Sequence, residues 1–165
     1  GTGSGGDLWS YLDAGAIEAM DFGNVGLAST AGMDVRSLDA AIMRLCAAVS
    51  PQADMIVAEL ADGILQRETS QLLQSSNLRT RIGSILFAAS DPLGAVAGVE
   101  LLASWGLEVS AVSGMLTASP LAVREFSAFC STPVIYGDDA DPQSVAAELF
   151  TSAVAQPTKR HAAQR

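Results

Sequence analysis

The sequence predicts an α/β domain in which a mostly parallel sheet of about five strands is flanked by helices. Short runs rich in Val, Ile and small residues alternate with longer runs of helical period, as repeated βα units require. The short runs show no regular alternation of apolar and polar residues, which is typical of strands covered on both faces. Apolar residues make up 49% of the chain, and no internal linker divides it. We therefore expect a single domain over residues 1–155, followed by a flexible basic tail over residues 156–165.

The predicted strands are short runs bounded by turn residues. The clearest one, residues 55–60, follows Pro51 and precedes the Asp62-Gly63 pair, both of which interrupt regular structure. In chain order, the five predicted strands are residues 16–21, 55–60, 82–89, 109–113 and 133–136.

The predicted helices begin at recognisable capping residues. Asp34 precedes a run with apolar residues at three- and four-residue steps, which favours an amphipathic helix. Asp91 and Ser119 are each followed by a proline, the residue that suits the first helical position, and Gly106 predicts the end of the helix that begins at Asp91. In chain order, the predicted helices are residues 7–15, 34–49, 66–74, 91–105, 119–130 and 142–154.

The charge balance argues against a nucleic-acid partner. The net charge is −9, and three of the nine basic residues, Lys159, Arg160 and Arg165, lie in the last ten positions. Residues 1–155 are therefore more acidic still, and such a surface repels a phosphate backbone.

The remaining composition predicts a cytoplasmic protein that does not enter a membrane. Cys46 and Cys130 form no CxxC pair and no disulfide framework, which favours a reducing compartment. The longest apolar run, residues 93–103, is interrupted by Glu100 and falls short of the roughly 20 residues that span a bilayer. His161, the one histidine, lies in the tail, so we expect neither a histidine-based zinc site nor a Ser-His-Asp triad in the core.

The first six residues fit the G-x-G-x-x-G pattern of dinucleotide-binding loops. Gly1, Gly3 and Gly6 occupy the glycine positions, and Asp21 follows at about the distance of the residue that contacts a ribose hydroxyl. This interpretation, with NAD as cofactor, requires a strand that ends directly before Gly1. A plain glycine-rich loop, or a remnant of cloning, is the alternative.

Three segments carry a resemblance to a known group of proteins. Residues 1–7 (Gly-Thr-Gly-Ser-Gly-Gly-Asp), 11–16 (Tyr-Leu-Asp-Ala-Gly-Ala) and 56–63 (Ile-Val-Ala-Glu-Leu-Ala-Asp-Gly) resemble P-loop proteins related to dethiobiotin synthetase and the molybdopterin-guanine-dinucleotide accessory protein MobB. The resemblance covers the portion after the Walker A motif, and it implies a P-loop NTPase-like fold with ATP and Mg²⁺ as cofactors. The chain departs from the family pattern at residues 58–63, which read Ala-Glu-Leu-Ala-Asp-Gly where those proteins usually have Val-Glu-Gly-Ala-Gly-Gly.

A complete P-loop is missing from the sequence. The GxxxxGK[ST] motif needs a lysine to reach the β and γ phosphates, and the single lysine is Lys159. We therefore expect the P-loop to be encoded upstream of Gly1, so that residues 1–165 bind nucleotide poorly on their own. A domain without that unit would expose apolar sheet surface, which favours association, for example as a homodimer.

Glu59 is the main candidate for catalysis and metal binding. It interrupts an apolar run at the end of the predicted strand 55–60, where a buried carboxylate needs a compensating charge. Ligands also collect at the carboxyl ends of parallel strands. A hydrated Mg²⁺ held by Glu59 and Asp7, with Asp62 as a third ligand, would supply that charge. The alternative is that Glu59 pairs with Arg67 or Arg81 and only fastens the sheet.

The other candidates would contact nucleotide or substrate. Arg67 could bind a phosphate or a substrate carboxylate through two hydrogen bonds, although an arginine at such a position is more often a solvated helix-end residue. Gly3 and Ser4 are cofactor-binding candidates. The resemblance places a base-contacting loop at Thr117 and Ser119, whereas Ser119 also suits a helix N-cap.

The predicted function follows from these candidates. We expect the magnesium- and substrate-side part of an ATP-dependent P-loop protein, whose full-length form would act as a ligase or transfer a phosphoryl group onto an acceptor carboxylate or carbamate. Nucleotide and a small molecule are the expected partners. A Rossmann-type dinucleotide-binding domain and a non-catalytic α/β module that binds a partner protein are the alternatives.

Overall fold

The computed structural model describes residues 5–49, 52–137 and 141–155. The chain divides into two compact units, an N-terminal unit of residues 1–78 and a C-terminal unit of residues 79–165. The single domain expected over residues 1–155 stays a prediction, and the basic tail at 156–165 lies outside the described residues.

The described part of the N-terminal unit is helical. Its helices are α1 (Gly5–Asp13), α2 (Val35–Ala48), α3 (Arg67–Leu73) and the short α4 (Ser76–Arg79), which begins in this unit, and a 3₁₀ turn spans Phe22–Val25. Helix α2 packs against α3 and the 3₁₀ turn. Its apolar stripe supplies much of the core, which is formed by Leu38, Ala41, Ile42, Leu72, Leu73 and Leu78.

The C-terminal unit is a small α/β arrangement. It contains β1 (Leu86–Ala88), α5 (Pro92–Ser104), β2 (Ala111–Ser113), a 3₁₀ turn (Met115–Ala118), α6 (Pro120–Phe129) and α7 (Pro142–Ala155). The two strands run parallel, with Leu86 opposite Ala111 and Ala88 opposite Ser113. The core is formed by Ala95, Leu102, Leu107, Val109, Ala111, Val112, Leu116, Phe126 and Ile135.

The predicted five-stranded sheet is wrong. Within the described residues the sheet has two strands, β1 and β2, which form within the predicted strands 82–89 and 109–113. The predicted strand 133–136 contributes a single parallel bridge, from Val134 to Val112. Residues 16–21 and 55–60 form no strand.

Residues 55–60 show why the prediction failed. They have the apolar composition of a covered strand, yet Val57 is 70% exposed and Ile56 is 48% exposed. A strand is defined by hydrogen bonds to a neighbouring strand, and no described segment pairs with these residues. Composition alone does not provide that neighbour.

Three predicted helix starts, after Asp34, Asp91 and Ser119, are confirmed. The Asp34 carboxylate accepts hydrogen bonds from the backbone N–H groups of Arg36 and Ser37, and α2 begins at the next residue. Asp91 accepts from the Gly94 N–H at the start of α5, and Ser119 accepts from the Ala122 N–H at the start of α6. These caps satisfy N–H groups that lack partners in the first turn of a helix.

Glycines allow close approaches in the C-terminal unit. A Cβ at Gly98 of α5 would overlap the ring of Phe87, so the glycine lets the helix pack directly on β1. Gly114 follows β2 with φ of +94°, and a Cβ there would lie 2.9 Å from the carbonyl oxygen of Ala89. Both positions therefore exclude larger residues for steric reasons.

Candidate functional site

Glu59 is joined to α1 by a hydrogen bond. The phenol of Tyr11 donates to Oε2 of Glu59, across 48 positions of sequence. Both residues belong to the N-terminal unit. The hydrogen bond fastens the irregular segment 55–61 to the helix, and it leaves the exposed Glu59 carboxylate with acceptor capacity for a further ligand.

Asp7 lies on the same face of α1 as Tyr11. The two residues are four positions apart, so their side chains are neighbours on the helix surface. The hydrogen bond to Glu59 raises the pKa of Tyr11 to about 12, and burial and the negative charges of Glu59 and Asp7 add to the effect. We refer to Asp7, Tyr11 and Glu59 as the carboxylate–tyrosine cluster.

The environment of Glu59 differs from both sequence-based expectations. It does not end a buried strand, because residues 55–60 form no strand and Glu59 is exposed. Its hydrogen-bond partner is the neutral phenol of Tyr11 on α1. The phenol contributes a hydrogen bond to Glu59 and no compensating positive charge.

The cluster could provide two oxygen ligands for a cation. Mg²⁺ is commonly held by one or two carboxylates while it keeps several water molecules, and Asp7 and Glu59 are residues of that type. No group of three or more His, Cys, Asp and Glu side chains in the described part of the chain is arranged to hold a metal ion. A threefold set with Asp62 therefore has no support from the geometry.

Arg67 and Glu68 begin the helix that follows the loop after Glu59. Arg67 is exposed at the first position of α3. Oε1 of Glu68 accepts a hydrogen bond of 2.6 Å from the backbone N–H of Gly32. This hydrogen bond is the main cause of the lowered pKa of Glu68, and the positive charge of Arg67 makes a smaller contribution. Glu68 thereby ties the glycine-rich loop before α2 to α3.

The candidates for contacts to the nucleotide base make local hydrogen bonds. The Thr117 hydroxyl donates to the carbonyl oxygen of Gly114 over 2.8 Å, within the 3₁₀ turn after β2. Ser119 caps α6, which is the alternative that the sequence offered. Both lie in the C-terminal unit, whereas the carboxylate–tyrosine cluster lies in the N-terminal unit.

The dinucleotide pattern receives little support. Gly1, Gly3 and Ser4 lie outside the described residues, and Gly6 lies within α1. The Asp21 carboxylate accepts from the Gly23 N–H and caps a 3₁₀ turn. It therefore has a local structural role where the dinucleotide interpretation needs a ribose contact.

Two residues of the N-terminal unit make notable contacts but were not predicted from the sequence as functional candidates. Tyr11 is one, although its four-residue spacing from Asp7 on a helix is a detectable signal. Asp39 is the other: it is 8% exposed and accepts hydrogen bonds from Ser75 and Asn77. An acidic residue on the buried face of α2 is the signal available for it.

Comparison with known proteins adds no family assignment. No family model, no curated protein and no solved structure matches the chain. Among the described residues, no helix has both the length and the apolar character needed to cross a membrane.

Proposed function

We propose that this chain provides the magnesium- and substrate-side residues of a nucleotide-dependent P-loop protein that uses ATP and Mg²⁺. One observation carries the proposal: the structure brings Glu59 to Tyr11 on α1, on the helix face that also bears Asp7. These residues come from the segments that carry the resemblance, residues 1–7, 11–16 and 56–63. The proposal thus rests on sequence pattern and on a tertiary contact between the same segments.

The cluster has the chemistry that the proposal needs. The cluster contains the carboxylates of Asp7 and Glu59, and a hydrated Mg²⁺ held by one or two carboxylates can bridge to phosphate oxygens. The Tyr11 hydroxyl donates to Oε2 of Glu59, so Oε1 has acceptor capacity for a cation. A bound Mg²⁺ would neutralise charge on the transferring phosphoryl group, the main requirement in such reactions.

Arg67 would act on the other reactant. Its guanidinium is exposed at the start of α3 and could bind a phosphate or an acceptor carboxylate through two hydrogen bonds. The resemblance suggests transfer of the γ-phosphoryl group from ATP to an acceptor carboxylate or carbamate. In that reaction the bond to ADP breaks and a bond to the acceptor oxygen forms.

The proposal requires a GxxxxGK[ST] motif that residues 1–165 do not contain. Since Lys159 is the single lysine, the GxxxxGK[ST] motif must come from another part of the same gene product, upstream of Gly1. The test is to read the encoding gene and to express the longer product. Calorimetry should then show Mg²⁺-dependent binding of ATP or GTP by the longer product, and weak binding by residues 1–165.

Substitutions connect that binding to the cluster. Glu59→Gln should weaken Mg²⁺-dependent nucleotide binding, because the amide lacks the charge that attracts the cation. Glu100→Gln, an exposed acidic residue on α5, serves as the matched control and should leave binding unchanged. A gene without the motif, or equal binding by the Glu59→Gln and unsubstituted proteins, would refute the proposal.

The exposed apolar side chains of segment 55–60 favour a second candidate function. Met55, Ile56 and Val57 are each about half exposed or more, an arrangement that often marks a protein-binding surface. A non-catalytic module that binds a partner protein would show no thermal stabilisation by Mg–ATP or Mg–GTP in either the short or the longer product. Stabilisation of the longer product by a nucleotide would exclude this candidate as the sole function.

A further inference from the structure

A polar cleft of about 320 Å³ lies on the N-terminal unit, apart from the residues of the carboxylate–tyrosine cluster. Its walls come from the first turns of α2, the end of α3 and the start of α4. Arg36 and Asp39 provide the charged groups, and Gln71 and Gln74 provide carboxamides. The volume is at the lower end of the range for ligand pockets, which suits a small polar molecule.

Asp39 is the unusual residue of this cleft. It is 8% exposed, yet the donors to its carboxylate are neutral: Ser75 Oγ lies 2.7 Å from Oδ1 and Asn77 Nδ2 lies 2.6 Å from Oδ2. These bonds satisfy part of the acceptor capacity of the two oxygens, and neither donor carries a charge. A buried carboxylate in this state gains from a cationic group that can reach it.

Arg36 supplies the positively charged group of the cleft. It precedes Asp39 by three positions on α2, so both residues lie on the face of the helix that borders the cleft. A metal cation beside Asp39 would be repelled by the Arg36 guanidinium, and a phosphate beside Arg36 would be repelled by Asp39. A ligand that carries a positive and a negative group close together matches both residues.

From this arrangement we infer that the polar cleft binds a free α-amino acid. Its ammonium group would donate to the Asp39 carboxylate, and its carboxylate would accept from the Arg36 guanidinium. Gln71 and Gln74 can donate and accept hydrogen bonds, so they favour a polar ligand side chain. The inference goes beyond the proposed nucleotide-dependent function and does not rest on it.

The experiment is a calorimetric titration of the chain with free amino acids of different size and polarity. Each is compared with its N-acetyl form, which lacks the ammonium charge, and with its α-carboxamide, which lacks the carboxylate. We expect at least one free amino acid to bind and both blocked forms to bind about tenfold more weakly or worse, since each loses a charge-assisted hydrogen bond. The carboxamide also distinguishes a free amino acid from the amino terminus of a peptide.

Variants assign the binding to the cleft. Arg36→Gln should weaken binding of the free amino acid about tenfold and remove the preference over the carboxamide. Arg44→Gln makes the same charge change at an exposed position of α2 that does not line the cleft, and it should have no effect. Asp39→Asn should remove the preference over the N-acetyl form. If Asp39→Asn does not fold, the comparison of Arg36→Gln with Arg44→Gln tests whether the amino acid binds in the cleft.

Three results would overturn the inference. They are the absence of binding for every free amino acid at millimolar concentration, equal binding of free and blocked forms, and unchanged binding by Arg36→Gln. Glu59→Gln should leave amino-acid binding intact, so a failure of the nucleotide proposal would be recognised separately.

Discussion

The Tyr11 phenol donates a hydrogen bond to the Glu59 carboxylate and so joins α1 to the irregular segment 55–61. The hydrogen bond places a titratable donor beside an acidic residue, with Asp7 one helical turn away. A neutral donor thus occupies one oxygen of the Glu59 carboxylate and leaves the other for a further ligand. Two consequences of this arrangement can be measured, one in the titration of Tyr11 and one in the binding of a cation.

The titration of Tyr11 should be displaced to high pH and should depend on Glu59. The pKa of Tyr11 is raised from 10.0 to about 12, chiefly by the hydrogen bond to Glu59. Tyr136→Phe leaves Tyr11 as the one tyrosine, so that tyrosinate absorbance reports it alone. Adding Glu59→Gln should lower the midpoint towards 10, because the negative charge is removed.

The raised pKa of Tyr11 also predicts how the stability of the folded chain changes with pH. The folded chain holds the Tyr11 proton more tightly than the unfolded chain, so this contribution is complete below pH 10 and is lost as the pH rises towards 12. Tyr11→Phe should abolish that part of the alkaline loss of stability. If Glu59→Gln leaves the titration midpoint of Tyr11 unchanged, the hydrogen bond between Tyr11 and Glu59 is not formed in solution.

The link between Glu68 and Gly32 should respond to acid. The Gly32 N–H lowers the Glu68 pKa below 4.5, so the link is at full strength above that pH and is lost as the pH falls through the lowered pKa. The Gly32 amide proton resonance should show this titration by NMR. Glu68→Gln should remove the titration, and Glu125→Gln, at an exposed position on α6, should preserve it. Persistence of the titration in Glu68→Gln would contradict the link.

A methyl group at Gly98 should destabilise the C-terminal unit. Alanine stabilises a helix by up to about 1 kcal/mol over glycine, but forcing a group into a packed interior costs about 1–3 kcal/mol. The added Cβ would overlap the ring of Phe87, so the second effect should prevail in Gly98→Ala. Urea unfolding followed by circular dichroism measures the difference.

Phe87→Leu provides the control for that steric account. The shorter side chain gives the added methyl group room, so Gly98→Ala should cost less in the Phe87→Leu background than in the unsubstituted chain. Equal costs in the two backgrounds would show that the overlap with Phe87 is not the cause.

Features of the fold that depend on neighbouring residues could be predicted from the sequence. Asp34, Asp91 and Ser119 each begin a helix where expected, because capping involves N–H groups only two or three residues away. Gly106, with φ of +75°, ends α5 for a similarly local reason.

Features that depend on distant residues could not be predicted in the same way. Residues 55–60 have the composition of a strand, but a strand also needs a partner, and none of the described segments provides one. The contact between Tyr11 and Glu59 joins residues 48 positions apart, so neither periodicity nor spacing reveals it. The hydrogen bonds to Asp39 from Ser75 and Asn77 are similarly non-local.

Paramagnetic broadening by Mn²⁺ tests most directly whether the carboxylate–tyrosine cluster binds a cation. Mn²⁺ accepts the same oxygen ligands as Mg²⁺ and broadens nearby NMR signals. In a chain labelled at tyrosine, the Tyr11 ring signals report on the cluster. We predict that low Mn²⁺ concentrations broaden these signals and that Glu59→Gln removes the broadening. Absence of broadening at Tyr11, or broadening that persists in Glu59→Gln, would contradict a cation site at Glu59.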